Sequence, residues 1–274
     1  MLAVLAGTTS WSPSLRPQPP SHALRCAAHH PRACAVEQAE VEQAERRAAL
    51  KRELIRNAAG CNRGFGATRA DRERLASLFD ELEGLAPTSS PTAGIVGGAD
   101  PAGVGLEAPP LAGCWRLVYT TATDVLSLDA SPVAGVGAIY QLIEAPDAVT
   151  NIIDLYPRAE ALLPVGKMSS KLRLRVMTRA AARSASRVGL TFYAVRAEPR
   201  ALLGVDVSSL LPALGSALPR LPGAIGTDPA TDRSPSFFDV VYVDDELLLI
   251  RQNSPGGVFA AVRVDASELD SSPV

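Results

Sequence analysis

The feature that most constrains this fold is a series of short alternating runs that follows Leu111. In the runs 115–120, 171–176 and 187–192 apolar side chains occupy every second position, the other runs are short and rich in apolar residues, and polar or glycine-rich turns separate one run from the next. A period of two is typical of strands with one buried face. About eight such runs predict an antiparallel sandwich or a closed up-and-down barrel, and a barrel of this size can enclose one small ligand. The runs cover residues 115–120, 139–143, 151–156, 171–176, 187–192, 238–242, 247–251 and 258–264.

The segment 37–86 has the periodicity of helices instead. Thr68 followed by Asp71 has the spacing of a capping box at a helix start. We expect two helices outside the barrel, each packed on it through an apolar stripe. The first stripe consists of Val41, Ala44, Ala48 and Ile55, and the second of Leu75, Leu78, Phe79 and Leu82.

Residues 1–36 differ from the rest because they contain arginines, hydroxyl residues and prolines but neither Asp nor Glu. This composition predicts a disordered organelle transit peptide, with cleavage near residues 34–36. An ordinary disordered terminus is the plainer alternative. The short apolar run 2–6 leaves open a two-stage signal for a plastid with extra membranes.

Removal of residues 1–36 would leave a chain without histidine, since His22, His29 and His30 all lie there. Catalysis by Ser-His-Asp or Cys-His groups and His-ligated metal sites are then excluded. The remaining 24 Lys and Arg against 29 Asp and Glu give a net charge of −5, which disfavours nucleic-acid binding. No apolar run is long enough to span a bilayer, so any membrane association is expected to be peripheral.

Three further segments carry expectations of their own. Residues 87–110 are rich in Pro, Gly and Ala and are interpreted as a flexible linker, and residues 265–274 as a C-terminal tail. Within the predicted barrel domain 111–264, residues 201–226 are nearly uncharged. A short helix there would place Leu210, Leu211, Leu214 and Leu218 on one face. This segment is either a loop packed over one barrel end or an apolar lid that contacts lipid.

The acidic residues of the barrel give little sign of chemistry. Asp244, Asp245 and Glu246 lie between two predicted strands and are best interpreted as a polar hairpin turn, although a hard cation is the alternative. Glu144 and Asp239 are isolated, and the sequence brings no two acids together for proton transfer. We expect no catalytic residue, no metal site and no cofactor.

The sequence Gly113-Cys114-Trp115 at the first strand resembles the lipocalin barrels. That resemblance implies that Trp115 plugs the closed end of the barrel, with an arginine over its ring through a cation–π contact. Arg251 and Arg263 are the two candidates. An ordinary core tryptophan is the alternative.

Four motifs in order resemble the plastid lipid-associated protein (fibrillin) family. They are Asn62-Arg63-Gly64 with the helical residues up to Leu85, the strand motif 111–121, Ile139-Tyr140-Gln141 with Asn151, and the block 242–259 with Arg251 and Phe259. The resemblance implies a mainly β protein, a lipocalin-like antiparallel barrel preceded by helices. It also implies a plastid location at plastoglobules or thylakoids, and binding of fatty acids, prenylquinones or carotenoids.

Within these motifs and strands we expect ligand contacts from Trp115, Tyr119, Tyr140, Gln141, Phe192, Arg251 and Phe259, and lipid contacts from the four leucines. Two other functions stay open. The chain could be a scaffold for a plastid lipid-synthesis enzyme, docked through the helices of 37–86. An isomerase of lipocalin type would need two converging polar groups inside the barrel.

Overall fold

Eight antiparallel strands close into a barrel, which confirms the fold class expected from the alternating runs. The computed structural model describes residues 31–98, 109–162, 170–217 and 236–271. Each barrel strand pairs with the next along the chain, and the last returns to the first. The barrel strands are β1 (Gly113–Thr120), β2 (Ala134–Glu144), β3 (Ala148–Pro157), β4 (Lys171–Ala182), β5 (Arg187–Leu202), β8 (Phe237–Val243), β9 (Leu247–Gln252) and β10 (Gly257–Val264).

Two short strands, β6 (Val205–Asp206) and β7 (Leu214–Ala217), lie outside the barrel circuit. Strand β8 pairs only with residues 187–189 of β5. The remainder of β5 extends past β8, where β7 pairs with residues 194–197 and β6 with residues 201–202. The long β4–β5 ribbon therefore extends past β8 on the side of the barrel where β8 is short.

The two ends of the barrel differ in their connections. The turns 145–147, 183–186 and 244–246 are short and lie at what we call the closed end. The connections 121–133, 158–170 and 203–236 are long and leave from the opposite end, which we call the open end. Helix α3 (Thr123–Leu126) and the 3₁₀ helices Ser127–Ala130 and Arg158–Leu162 belong to these open-end connections.

Helix α1 (Pro31–Ala59) spans the boundary between two units, Met1–Arg46 and Arg47–Val274. In the first unit, α1 residues 36–46 have exposed side chains. In the second unit, α1 buries Leu50, Leu54 and Ala58. The predicted stripe of Val41, Ala44, Ala48 and Ile55 was therefore wrong, because the larger leucines at a spacing of four define the buried face.

Helix α2 (Arg69–Glu83) follows the expectation closely. Thr68 and Asp71 form the predicted capping box, and all four residues of the predicted stripe are buried. These residues and the buried face of α1 pack on the outer side of the barrel, against β8, β9 and β10.

Part of the predicted flexible linker is packed. Thr92 and Ile95 are fully buried, and Ile95 belongs to the core cluster at the closed end. The Thr92 hydroxyl donates to the carbonyls of Ser184 and Ala185 in the β4–β5 turn. The apolar Ile95 and these hydrogen bonds explain why the segment is fixed despite its glycines; residues 99–108 lie outside the described residues.

The chain after β10 is also packed. Helix α4 (Glu268–Ser271) places Leu269 against Cys114, Tyr140 and Ile152 on the outer face of the barrel. Glu268 pairs with Arg116 at 2.7 Å. The predicted tail thus covers the outer face of β1 to β3.

Most of the predicted transit peptide, residues 1–30, lies outside the described residues, and α1 begins at Pro31. Its removal stays a prediction. Within the described ranges, no helix combines the length and the apolar character that a membrane span requires.

Candidate functional site

A cavity of ≈ 390 Å³ lies inside the barrel and reaches the open end. This volume falls at the lower end of the roughly 300–1,000 Å³ typical of ligand pockets. Side chains from the barrel strands form its wall, and Asp124, Val125 and Leu128 line it at the open end. The wall is mostly apolar, with Leu117, Ile139, Ile153, Val176, Leu190, Phe237, Phe238, Leu248, Ile250 and Ala261 among its members.

Trp115 forms the floor of this cavity, as the lipocalin-like motif predicts. Its ring is fully buried, and its indole N–H donates to the Leu111 carbonyl at 2.9 Å. The Arg263 guanidinium lies 4.2 Å from the ring centroid. Of the two candidate arginines, Arg263 is therefore the one over the tryptophan.

Gly113 explains why the motif requires glycine two positions before the tryptophan. Its φ of +140° is unfavourable for other residues, and a Cβ atom there would lie 2.4 Å from Nη1 of Arg263. The Arg263 guanidinium fits this space and donates to the carbonyls of Pro110, Ala112 and Asp245. Burial lowers the pKa of Arg263.

Two groups of polar side chains line the cavity. Opposite each other on β2 and β3, the Gln141 amide donates to the Asn151 side-chain oxygen at 3.1 Å. Nearer the open end, the Gln252 amide nitrogen donates to Asp124 Oδ2 at 3.2 Å and to the Ser254 carbonyl at 2.8 Å. The cavity thus combines apolar walls with a few hydrogen-bonding groups, of which Asp124 is the one acid among the described lining residues.

Five of the seven predicted ligand residues line the cavity: Trp115, Tyr140, Gln141, Phe192 and Phe259. Tyr140 does so only in part, because its hydroxyl donates to Glu268 on the outer face. Phe259 packs on the core clusters next to Trp115 and Leu117.

Tyr119 lies on the opposite face, away from the cavity. The β1–β10 register shifts between Leu117 and Tyr119, which is the signature of a β-bulge. Leu117 therefore points inward, while Tyr119 is buried under the helices with Leu54 and Phe79. Strict alternation from Trp115 predicted that Tyr119 faces the cavity. That prediction was wrong because one extra residue in a strand reverses the facing of every residue that follows.

Arg251 also lies outside the cavity. Its guanidinium donates to Asp80 and Glu83 of α2, each at 2.8 Å. These carboxylates raise the pKa of Arg251 through hydrogen bonds, against the effect of partial burial. Arg251 therefore ties α2 to strand β9 and is not one of the residues that line the cavity.

The acidic cluster forms the β8–β9 turn, as the sequence predicted. Asp244 accepts hydrogen bonds from Lys51 Nζ at 2.8 Å, from the Tyr242 hydroxyl at 2.6 Å and from two backbone amides of its own turn. Burial alone would raise the pKa of Asp244, but these donors outweigh it, so the pKa lies below its usual value. The turn fixes helix α1 to the barrel.

The motif Asn62-Arg63-Gly64 has a similar role between α1 and α2. The Arg63 guanidinium donates to the carbonyls of Val136 and Gly137 on β2, and the Arg63 carbonyl accepts from the Thr120 amide. Gly64 has a φ of +105°, and a Cβ atom there would overlap the Thr120 carbonyl. The motif therefore joins the helices to β1 through a backbone hydrogen bond and to β2 through the Arg63 side chain.

The Leu-rich segment is a turn and a strand, so the predicted short helix was wrong. Leu210 and Leu211 lie in a turn, and β7 follows from Leu214 with its backbone paired to β5. Pro212 removes one amide donor, and the free edge of β5 offers the strand a partner. Leu210 and Leu214 are 73% and 72% exposed, and Leu218 lies outside the described residues.

Other exposed apolar side chains lie around the open end. Together with the leucines they form what we call the open rim, which consists of Val133, Tyr156, Leu202, Leu203, Val205, Leu210, Leu211 and Leu214. Between residues 202 and 217 the only charged side chain is Asp206. Exposed apolar side chains concentrated in one nearly uncharged segment are typical of contact surfaces.

Sequence reasoning missed several cavity residues. Leu190 and Val176 belong to predicted strands, and the alternation alone would have placed them inside. Asp124 lies in a connection that carries no periodic signal. Asn151 was noted only as part of a motif, and its pairing with Gln141 follows from the β2–β3 register.

The family model described as PAP_fibrillin, that of the plastid lipid-associated proteins, matches residues 48–260 of the chain. Searches of curated proteins and of solved structures gave no match. The matched range contains α2, seven of the eight barrel strands in full and the first half of β10. The chain therefore belongs to the plastid lipid-associated protein (PAP/fibrillin) family.

Proposed function

We propose that this protein carries an apolar lipid inside its barrel and touches lipid surfaces with its open rim. Family membership implies a plastid protein associated with lipid. The single observation that carries the finer proposal is the ≈ 390 Å³ apolar cavity that reaches the open end. The proposed ligands are of three classes: fatty acids, prenylquinones and carotenoids.

The open rim supports contact with plastoglobules or thylakoids. Burial of a leucine side chain is worth roughly 1.5–3 kcal/mol, so partial insertion of Leu210, Leu211 and Leu214 would contribute several kcal/mol. That is enough for reversible, peripheral binding but falls short of permanent anchoring. The rim and the cavity mouth lie at the same end of the barrel, so a lipid taken from a surface at this end would enter the cavity from the same side.

We propose no catalytic role for the cavity. Asp124 is the single acid among the described residues that line it, and its carboxylate accepts a hydrogen bond from Gln252. Gln141 and Asn151 converge inside the barrel, but amides do not exchange protons near neutral pH. A pair of groups for acid–base isomerisation is therefore not assembled from the described lining.

The alternative function is a scaffold for a plastid lipid-synthesis enzyme. The exposed face of α1 at residues 36–46, with Val41 54% exposed, favours it. The apolar stripe of α2 does not offer a docking surface for such an enzyme, because it is buried against the barrel.

Native mass spectrometry of the protein incubated with total plastid lipid separates the two functions. Carriage predicts a 1:1 complex with an apolar lipid that survives removal of excess lipid. A protein that remains at its apo mass under these conditions would contradict carriage and leave the scaffold as the better account.

A further inference from the structure

Charge is distributed unequally around the cavity. Asp124 is the only Asp, Glu, Lys or Arg among the described residues that line it. Barrel strands form the wall of the inner half of the cavity, next to Trp115. The polar side chains in this half are the amides of Gln141 and Asn151. A ligand anion would therefore meet no cation in the described wall, and at the open end it would meet a carboxylate.

Guanidinium groups near the barrel wall are engaged elsewhere, and Arg187, which lies over the ring of Phe237, pairs with Asp239. Arg263 lies against Trp115 and donates to three backbone carbonyls at the closed end. Arg63 donates to two carbonyls of β2, and Arg251 pairs with Asp80 and Glu83 of α2. None of these four arginines lines the cavity.

Burial of an ionised carboxylate without a partner is so costly that the group takes up a proton instead. An uncharged head group avoids this cost. A hydroxyl or a carbonyl oxygen can exchange hydrogen bonds with the Gln141 and Asn151 amides, which together offer donors and acceptors. The neutral amide pair therefore suits an uncharged polar head, and it supplies no positive charge to balance a buried carboxylate.

We propose that the cavity selects uncharged lipids with a hydroxyl or carbonyl group and rejects ionised fatty acids. This selectivity rests on the proposed function of lipid carriage. Its ≈ 390 Å³ corresponds to roughly a dozen water-sized groups of about 30 Å³ each. A long-chain lipid is therefore enclosed only in part. The remainder leaves through the open end, beside the exposed leucines of the open rim.

The test compares 1-hexadecanol with hexadecanoic acid, which share a chain length, on the full-length protein at pH 6 and pH 8. Competition against a fluorescent fatty alcohol gives both dissociation constants. The alcohol should bind equally well at both pH values. The acid, with an ordinary pKa of about 4.3, should bind about 100-fold more weakly at pH 8 than at pH 6, since only its protonated form enters.

A charge introduced into the cavity should reverse the selection. Gln141→Lys supplies a cation to the inner half, and we expect it to tighten binding of the acid at pH 8 by at least tenfold. Thr150→Lys is the matched control, because Thr150 neighbours Asn151 on the outer face of β3, and it should leave both constants unchanged. If Gln141→Lys does not fold, the pH series on the wild-type protein tests the selection against ionised fatty acids by itself.

Equal binding of acid and alcohol by the wild-type protein at pH 8 would overturn the selection and leave carriage intact. Binding of neither lipid at either pH would overturn both the selection and the proposed function.

Discussion

The two ends of the barrel are built from the same eight strands but have opposite surfaces. At the closed end, Trp115, Ile95 and Leu111 are almost completely buried, and Arg263 is fixed by three carbonyls. At the open end, leucines and a valine of the 202–214 segment are about half to three-quarters exposed. Apolar side chains at the closed end stabilise the fold through burial, while those at the open end stay in contact with water, which is unfavourable in free energy.

This difference indicates a division of labour between stability and function. A closed end that is packed and hydrogen-bonded can hold the barrel together without a ligand. Exposed apolar groups at the open end bury little area in the isolated chain and contribute little to its stability, and our proposal is that lipid covers them. Substitutions at the two ends should therefore affect different properties.

The largest effect on stability is expected for Trp115→Ala at the closed end. Loss of a fully buried tryptophan should destabilise the protein by roughly 3–5 kcal/mol, measured by urea unfolding. Tyr156→Ala at the open rim is the control, because that ring is 42% exposed, and its cost should stay below about 1 kcal/mol. Similar losses for the two variants would remove the contrast between the ends.

A smaller effect, dependent on pH, is expected for Asp244→Asn in a closed-end turn. The folded-state pKa of Asp244 is depressed by its donors, so its carboxylate stabilises the fold above the unfolded pKa of about 3.9. That stability is lost as pH falls through the folded pKa. The variant should be less stable than the wild type by roughly 1–2 kcal/mol at pH 7, and this difference should shrink below pH 4. A difference that is constant with pH would show that the charge of Asp244 contributes nothing.

The smallest effect on stability is expected when Leu210, Leu211 and Leu214 of the open rim are all changed to Ser. Each exposed substitution should alter the unfolding free energy by no more than about 0.5 kcal/mol. Flotation with neutral galactolipid vesicles should nevertheless be lost. Ile55→Ser with Val96→Ser, two exposed apolar positions away from the rim, is the control and should float like the wild type. Undiminished flotation of the rim variant would assign lipid contact to another surface.

The barrel and its closed end could be predicted from the sequence because they follow from local rules. Alternating runs and short apolar runs between turns located all eight barrel strands, and the Gly113-Cys114-Trp115 motif identified the floor of the cavity. The stripe of α2 was equally clear, since its four large apolar residues recur at helical spacing.

The features that escaped prediction depend on pairing across the sheet. The bulge after Leu117 turns Tyr119 outward, and a second bulge after Val240 does the same for Tyr242. No local pattern in either strand reveals the extra residue. Arg251 was assigned to the ligand because its partners Asp80 and Glu83 are distant in sequence, and the segment 92–96 was taken for a linker because its glycines hide the buried Ile95.

The most direct test of carriage inside the barrel is a comparison of two tryptophan substitutions on strand β5. Leu190→Trp fills the cavity, whereas Tyr193→Trp places the same side chain at an exposed position of that strand. Native mass spectrometry after incubation with 1-hexadecanol gives the bound fraction for each folded variant. Carriage inside the barrel predicts a 1:1 complex for the wild type and for Tyr193→Trp, and a loss of at least tenfold in affinity for Leu190→Trp. Equal occupancy of all three proteins would show that the lipid binds outside the barrel.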